Sequence, residues 1–327
     1  MSGKIEHEDK IRQKIEQKLA TLPYIFQEFY LYMDGDGKSL GTIKHYIEYT
    51  SDFASAVTTD NITNDFYKSV TVQQIREYLV SLRKRVENGK EIKASESIQA
   101  TRWSALNTFY TFLVMDDYLD VNPMTKTKRP KDKKEKPIVF LEQNEINRIM
   151  NTIREESNIK MVNRDLAIVT LGITTGIRVE ALVQIDVDDI DFKENTIHVF
   201  EKGHKERYLP FGQNARNALS AWLIDRQTYF PDVETEALFV SSFKQRITTE
   251  GVRKLMKKYT DGLSKKVTPH VMRKTAATQA CRSGASIEVV AKMLGHENIN
   301  TTLRYRAILD EDKQKATSAL DKMFEDN

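Results

Sequence analysis

A crowd of cations near the middle of the chain sets the first limit on what it can fold into. Lys126, Lys128, Arg129, Lys131, Lys133, Lys134 and Lys136 lie between Pro123 and Pro137, opposed only by Asp132 and Glu135. Prolines disfavour helix and like charges repel, so the stretch 125–137 reads as an extended linker rather than as part of a core. A solvated loop would account for the same charges as simply as contact with a polyanion. The linker divides 327 residues into two stretches, each near the ~150 residues that one hydrophobic core commonly serves. The expected organisation is a tail over 1–17, a first domain over 18–124, the linker, a second domain over 138–309 and a C-terminal helix over 310–327.

Ahead of the linker the apolar residues recur at helical intervals: Ile43, Tyr46 and Ile47 to Phe53; Val72, Ile75, Leu79 and Leu82; Trp103, Leu106, Phe109, Tyr110 and Leu113. Ser39 and Thr71 stand where helix caps belong, and Asn88-Gly89 and Asn122-Pro123 punctuate turns. No strand alternation is evident there, so an all-helical first domain is expected. Beyond the linker, Asn144 is placed to cap a helix through Ile153, and Leu166 to Ile173 forms a more buried one. Thr196 to Phe200 and Arg207 to Pro210 then read as short strands around Lys202-Gly203-His204-Lys205, a hairpin composition. Helical spacing returns at Ala215 to Leu223, Thr249 to Tyr259, Val271 to Cys281 and Ile287 to Leu294. The fold class expected is mostly α with a small β-sheet in the second domain.

Basic and acidic residues nearly balance, 50 against 47, so affinity for a polyanion has to come from local clusters. The single cysteine, Cys281, excludes an internal disulfide and fits a reducing cytoplasm. The apolar run Leu166 to Ile173 is far short of the ~20 residues a membrane span requires. The six histidines (His7, His45, His198, His204, His270, His296) show no paired metal-ligand spacing, and there is no glycine-rich phosphate loop. Neither a metal nor a nucleotide cofactor is expected.

The second domain carries residues suited to phosphodiester chemistry. Breaking such a bond without water needs a nucleophile, cationic donors for the non-bridging oxygens, and an acid for the leaving oxygen. Arg178 follows the turn Thr175-Gly176-Ile177. His270 and Arg273 stand three apart after Pro269, which suits a helix start, so both project from one face. His296 follows Leu294-Gly295, and Tyr305 lies nine residues on. Any one of these has an ordinary explanation: a surface or capping pair, a half-buried core tyrosine, a solvated hairpin lysine. Five elements in order outweigh that explanation.

Thr175-Gly176-Ile177-Arg178, Lys202-Gly203, His270-x-x-Arg273, Leu294-Gly295-His296 and Tyr305 resemble the ordered signature of the tyrosine recombinases, Xer-type proteins and phage or transposon integrases among them. The stretch Arg102 to Leu113 resembles the last core helix of that family's DNA-binding domain, and the likeness spans about residues 36–310. The resemblance implies a two-domain, C-shaped clamp on duplex DNA, with a helical core-binding domain and an α+β catalytic domain. It implies that Arg178 and Arg273 grip the scissile phosphate and that Tyr305 forms a 3′-phosphotyrosyl link. His270 would manage the tyrosine proton, His296 would donate to the phosphate, and Lys202 would protonate the 5′ oxygen. Lys205 and Arg207 flank the same turn as Lys202. It further implies a specific core site, a tetramer formed through the C-terminal segment, and a task in either chromosome-dimer resolution or the movement of a genetic element. Three positions depart from the pattern: Ala181 stands where an acid is frequent, with Glu180 before it; Lys274 stands where histidine is frequent; and Glu201 stands where glycine is frequent.

Overall fold

The helical spacing of the first stretch is realised in the computed structural model, which describes residues 2–59, 61–87, 90–93, 96–130, 137–201, 205–305, 314 and 317. The chain forms two compact units, Met1–Lys136 and Pro137–Asn327. In the first, α1 (Ser2–Leu19) covers the stretch expected as a tail, and its Ile15 and Leu19 are buried in the unit's core. It is followed by α2 (Ile25–Gly35), α3 (Leu40–Val57), the single turn α4 (Phe66–Ser69) and α5 (Val72–Ser81). Ser39 Oγ accepts from the Thr42 N–H at the start of α3. Thr71 and Gln74 form a reciprocal capping box at the start of α5, satisfying donors that a helix start leaves unpaired.

The expectation of an all-helical first domain is corrected by β1 (Lys84–Glu87) and β2 (Lys90–Lys93), which pair antiparallel from Lys84↔Lys93 to Glu87↔Lys90. Asn88-Gly89, read as turn punctuation, falls between these strands and outside the described residues. Only Val86 and Ile92 are apolar in the hairpin, so no alternating stripe announces it. Helix α6 (Glu96–Met115) is the centre of the unit: Leu106, Phe109, Tyr110, Phe112 and Leu113 are all fully buried. Apolar residues at adjacent positions cover more than one face, as an enclosed helix requires. Phe109 packs edge-on against Phe29 at 4.9 Å between centroids and lies tilted to Tyr67 at 4.7 Å. A 3-10 turn, Pro123–Lys126, closes the unit, and Lys126, Lys128 and Arg129 are exposed. Lys131, Lys133, Lys134 and Lys136 lie outside the described residues.

The second unit comprises α7 (Gln143–Glu156), α8 (Val162–Thr175), α9 (Val179–Leu182), β3 (Ile190–Asp191), β4 (Thr196–Glu201), β5 (Lys205–Pro210), α10 (Gln213–Tyr229), α11 (Thr249–Tyr259), α12 (Pro269–Arg282) and α13 (Ile287–Leu294). Asn144, expected to cap α7, lies inside its first turn. The helix starts two residues earlier, at Gln143 with Glu142 as its cap, where the Glu145 carboxylate turns back to accept from the Glu142 N–H at 2.9 Å. The sheet is antiparallel, in the order β3-β4-β5. Helix α8 buries Ala167, Ile168, Val169 and Leu171 between α10 and α12. Gly172 permits a close crossing, since a Cβ there would lie 2.9 Å from Met272 Cε. Two polar ties fix the surroundings: Trp222 Nε1 donates to the Leu238 carbonyl at 2.7 Å, and the Tyr259 hydroxyl donates to buried Asp165 at 2.6 Å. No helix among the described residues is long and apolar enough to cross a membrane.

Candidate active site

Two left-handed glycines build the site. Helix α8 ends at Gly176 (φ 64°) and α13 ends at Gly295 (φ 64°). That conformation strains residues with a Cβ, so it falls to glycine at helix C-termini. The first turn delivers Arg178 to the N-cap position of α9, and the second delivers His296 just past α13. At Gly176 space is limiting too, because a Cβ would lie 2.6 Å from Leu294 Cδ2. Pro269 occupies the first turn of α12, where its missing N–H costs nothing, and places His270 and Arg273 one turn apart.

The arginines converge on the carboxyl end of α13. Arg273 is buried (5% exposed) and spans two backbone oxygens, donating through Nη1 to Gly176 at 2.6 Å and through Nη2 to Leu294. Arg178 Nη2 donates to the Gly295 carbonyl at 3.1 Å. From β5, Arg207 Nη1 donates to the Lys292 and Met293 carbonyls at 3.0 and 2.8 Å. Four consecutive carbonyls, 292 to 295, thus accept from three guanidiniums. The last carbonyls of a helix are short of intrahelical donors and carry its negative partial charge, which makes them a natural seat for cations.

Around this helix end lies a cleft of about 1150 Å³, lined by Arg178, Arg207, Arg253 and Arg273, by His270 and His296, and by Glu180, Glu206 and Glu297. Four arginines against three glutamates make it a seat for an anion. His296 Nδ1 is hydrogen-bonded to the Thr302 hydroxyl at 2.8 Å, which fixes the ring. His270 is held below the ordinary histidine range, first by desolvation in the cleft wall and then by the cations Lys274, Arg273 and Arg304, with Glu180 opposing. It is therefore a neutral imidazole at neutral pH, able to accept a proton.

Tyr305 is not among the residues lining the cleft. It is buried (4% exposed) among Ala277, Cys281, Val290 and Leu294, on the helical turn 300–305 behind α12 and α13. Burial pushes its hydroxyl above the ordinary tyrosine value, while Arg304 and Arg273 pull it down. The structure thus brings Arg178, His270, Arg273 and His296 together and sets Tyr305 beside them in an apolar seat. Lys202 lies outside the described residues. Arg207 escaped the sequence reading, which noted it only as a neighbour of the hairpin turn. Its connection is to a helix end far along the chain, and no local spacing reports it.

The Phage integrase family matches residues 139–312 of the chain. The tyrosine recombinase XerC of Oceanobacillus iheyensis is 31% identical over 283 residues, 84% of this chain and 88% of that protein. The tyrosine recombinase XerC of Staphylococcus aureus (strain bovine RF122) is 34% identical over 218 residues, 65% of this chain and 70% of that protein. Among solved structures, the XerH site-specific recombinase bound to palindromic difH substrate superposes with a TM-score of 0.67 at 18% identity, covering 86% of this chain and 80% of the other. A lambda integrase dimer bound to a core site gives 0.63 at 16% identity, over 85% of this chain and 95% of that one. The last two likenesses concern the fold alone. With its family match, its near-full-length relatives and the arginine-histidine cleft, the chain belongs to the phage integrase family and is a tyrosine-type site-specific DNA recombinase.

Proposed function

We propose that Arg178 and Arg273 hold the scissile phosphate of duplex DNA in the cleft and that Tyr305 is the nucleophile that attacks it. The observation carrying this reading is the convergence of two guanidiniums on adjacent carbonyls of one helix end, with a neutral histidine in the same cleft. The Tyr305 oxygen bonds to phosphorus, the bond to the 5′ oxygen breaks, and a 3′-phosphotyrosyl link remains. His270 takes the phenolic proton, His296 donates to a non-bridging oxygen, and Lys202 protonates the leaving oxygen. The energy of the broken phosphodiester is retained in the new link, so rejoining needs no cofactor. For attack, Tyr305 has to leave its apolar seat. The basic stretch Lys126, Lys128, Arg129, Lys131, Lys133, Lys134 and Lys136 contacts the DNA backbone.

The boundaries 18–124 for the core-binding domain and 138–309 for the catalytic domain are part of the same reading, as are a tetramer on two core sites and a cytoplasmic location. Between chromosome-dimer resolution and movement of a genetic element, the match over most of the XerC proteins' length favours the first. Tyr305→Phe tests the assignment directly. On a nicked duplex that traps the intermediate, the variant is expected to bind normally and to give no covalent band on a denaturing gel. An adduct at wild-type yield would place the nucleophile elsewhere.

A further inference from the structure

The β4–β5 ribbon outruns its sheet. Strand β3 pairs only with Thr196 and Ile197, whereas the β4–β5 ladder continues from Thr196↔Pro210 through Val199↔Arg207 to Glu201↔Lys205. Among the described residues, therefore, two strands stand without a third past Ile197, and a two-stranded ribbon in water is marginally stable at best. Val199 of β4 is buried. His198 is hydrogen-bonded to Glu206 and lies 3.6 Å from Asp189, which ties the ribbon to itself and to the base of the sheet. Arg207 reaches instead to the catalytic cleft. Its guanidinium rests on the Lys292 and Met293 carbonyls, next to the carbonyls that hold Arg273 and Arg178 and just ahead of His296.

We infer that Arg207 is a positioning residue, which pins the β4–β5 ribbon to the end of α13 and so holds the acid carried by the ribbon's turn in register with the phosphate-binding arginines. The inference rests on the proposed reading that this turn supplies the proton for the leaving 5′ oxygen. Its geometry is independent of that reading. Its Nη1 donates to two successive carbonyls at a helix end, and the half-buried side chain thereby fixes the strand relative to the helix. Were Arg207 simply another phosphate ligand, its loss would weaken the hold on the phosphate and leave the leaving group unaffected.

A change of leaving group separates these roles. Two nicked duplexes are compared in single-turnover cleavage, one with the ordinary bridging 5′ oxygen at the scissile position and one with a bridging 5′ sulfur. In the second, the Tyr305 oxygen bonds to phosphorus, the P–S bond breaks and the thiolate departs without a proton. Arg207→Ala is expected to cleave the oxygen substrate about 100-fold more slowly than wild type and the sulfur substrate within about threefold of it, since that is the usual size of a lost proton-transfer contribution. Arg207→Lys, which keeps a cation able to reach a carbonyl, is expected to recover part of the oxygen rate. Equal slowing on both substrates, or no slowing on either, would overturn the inference. If Arg207→Ala does not fold, Arg207→Lys decides by the same comparison. Lys202→Ala runs alongside: rescue by sulfur in Arg207→Ala but not in Lys202→Ala would move the acid to another residue of the turn and leave the role of Arg207 standing.

Discussion

At the cleft, Lys274 sits beside His270 at a position where the family often has histidine, and its charge helps to hold the His270 pKa below 6.5. The sign of the consequence is definite. A base works in its neutral form, so the rate falls as pH drops through the depressed pKa, and the acidic limb of the cleavage profile lies below 6.5. Lys274→Gln removes that cation, raises the His270 pKa and moves the limb to higher pH, with little change on the plateau. Single-turnover cleavage against pH measures this, and an unmoved limb would remove His270 as the titrating base. Arg273→Lys is the harsher substitution. One ammonium cannot span the Gly176 and Leu294 carbonyls and also face a phosphate in two parallel bonds. Cleavage is expected to drop about 10²–10³-fold, the usual cost of one such donor, with site binding nearly unchanged in a filter or gel-shift assay.

Among the elements, the end of α8 is the most exacting, because Gly176 meets a backbone demand and a packing demand together. Alanine there adopts a left-handed conformation at a cost of about 1–2 kcal/mol and pushes against Leu294 Cδ2 and Ala276 Cβ. Gly176→Ala is therefore expected to lower stability by at least that much in urea unfolding. Because Arg178 emerges from the same turn, cleavage should fall further than the loss of folded protein explains. A variant of wild-type stability would show that the turn relaxes freely. This site was legible in the sequence because helix-ending glycines sit two residues before Arg178 and directly before His296, and Pro269 directly before His270. The long helices were legible through their apolar spacing, as α11 shows in matching Thr249 to Tyr259. What escaped were features whose causes lie far along the chain or lack an apolar signature. The 84–93 hairpin is mostly charged, and Arg207 has its meaning only against the carbonyls of residues 292 and 293. The seat of Tyr305 was equally hidden, since a nucleophile and a core tyrosine read alike in sequence.

For the molecule as a whole, DNA affinity and assembly are expected to reside in segments at the margins of the two units. Each phosphate neutralised by the linker contributes about −0.9 to the slope of log K against log salt, so replacing Lys131, Lys133 and Lys134 by alanine should flatten that slope by up to about 2.7 and weaken specific and non-specific binding alike. An unchanged slope would return the linker to a solvated loop. The C-terminal helix expected over 310–327 lies, apart from residues 314 and 317, outside the described residues, so its partner is argued from sequence. Ala316, Ala319, Leu320, Met323 and Phe324 fall at i, i+3, i+4, i+7 and i+8, a single apolar stripe, with Lys313, Lys315, Asp321, Lys322 and Glu325 on the other faces. So short a helix is marginal alone and has to bury its stripe, either on its own catalytic domain or on a neighbour's. The family resemblance favours the neighbour, and the position of the segment explains why that would matter. It begins five residues beyond Tyr305 in the sequence, close to the residue proposed to leave its seat among Ala277, Cys281, Val290 and Leu294. Deleting residues 313–327 should therefore leave a folded monomer that binds one site while pairing of sites and complete recombination fail. Single-site binding by gel shift and pairing by analytical ultracentrifugation of the DNA complex measure the two halves of that statement. A truncated monomer that melts several degrees lower and loses single-site binding would mean that the stripe packs within its own subunit.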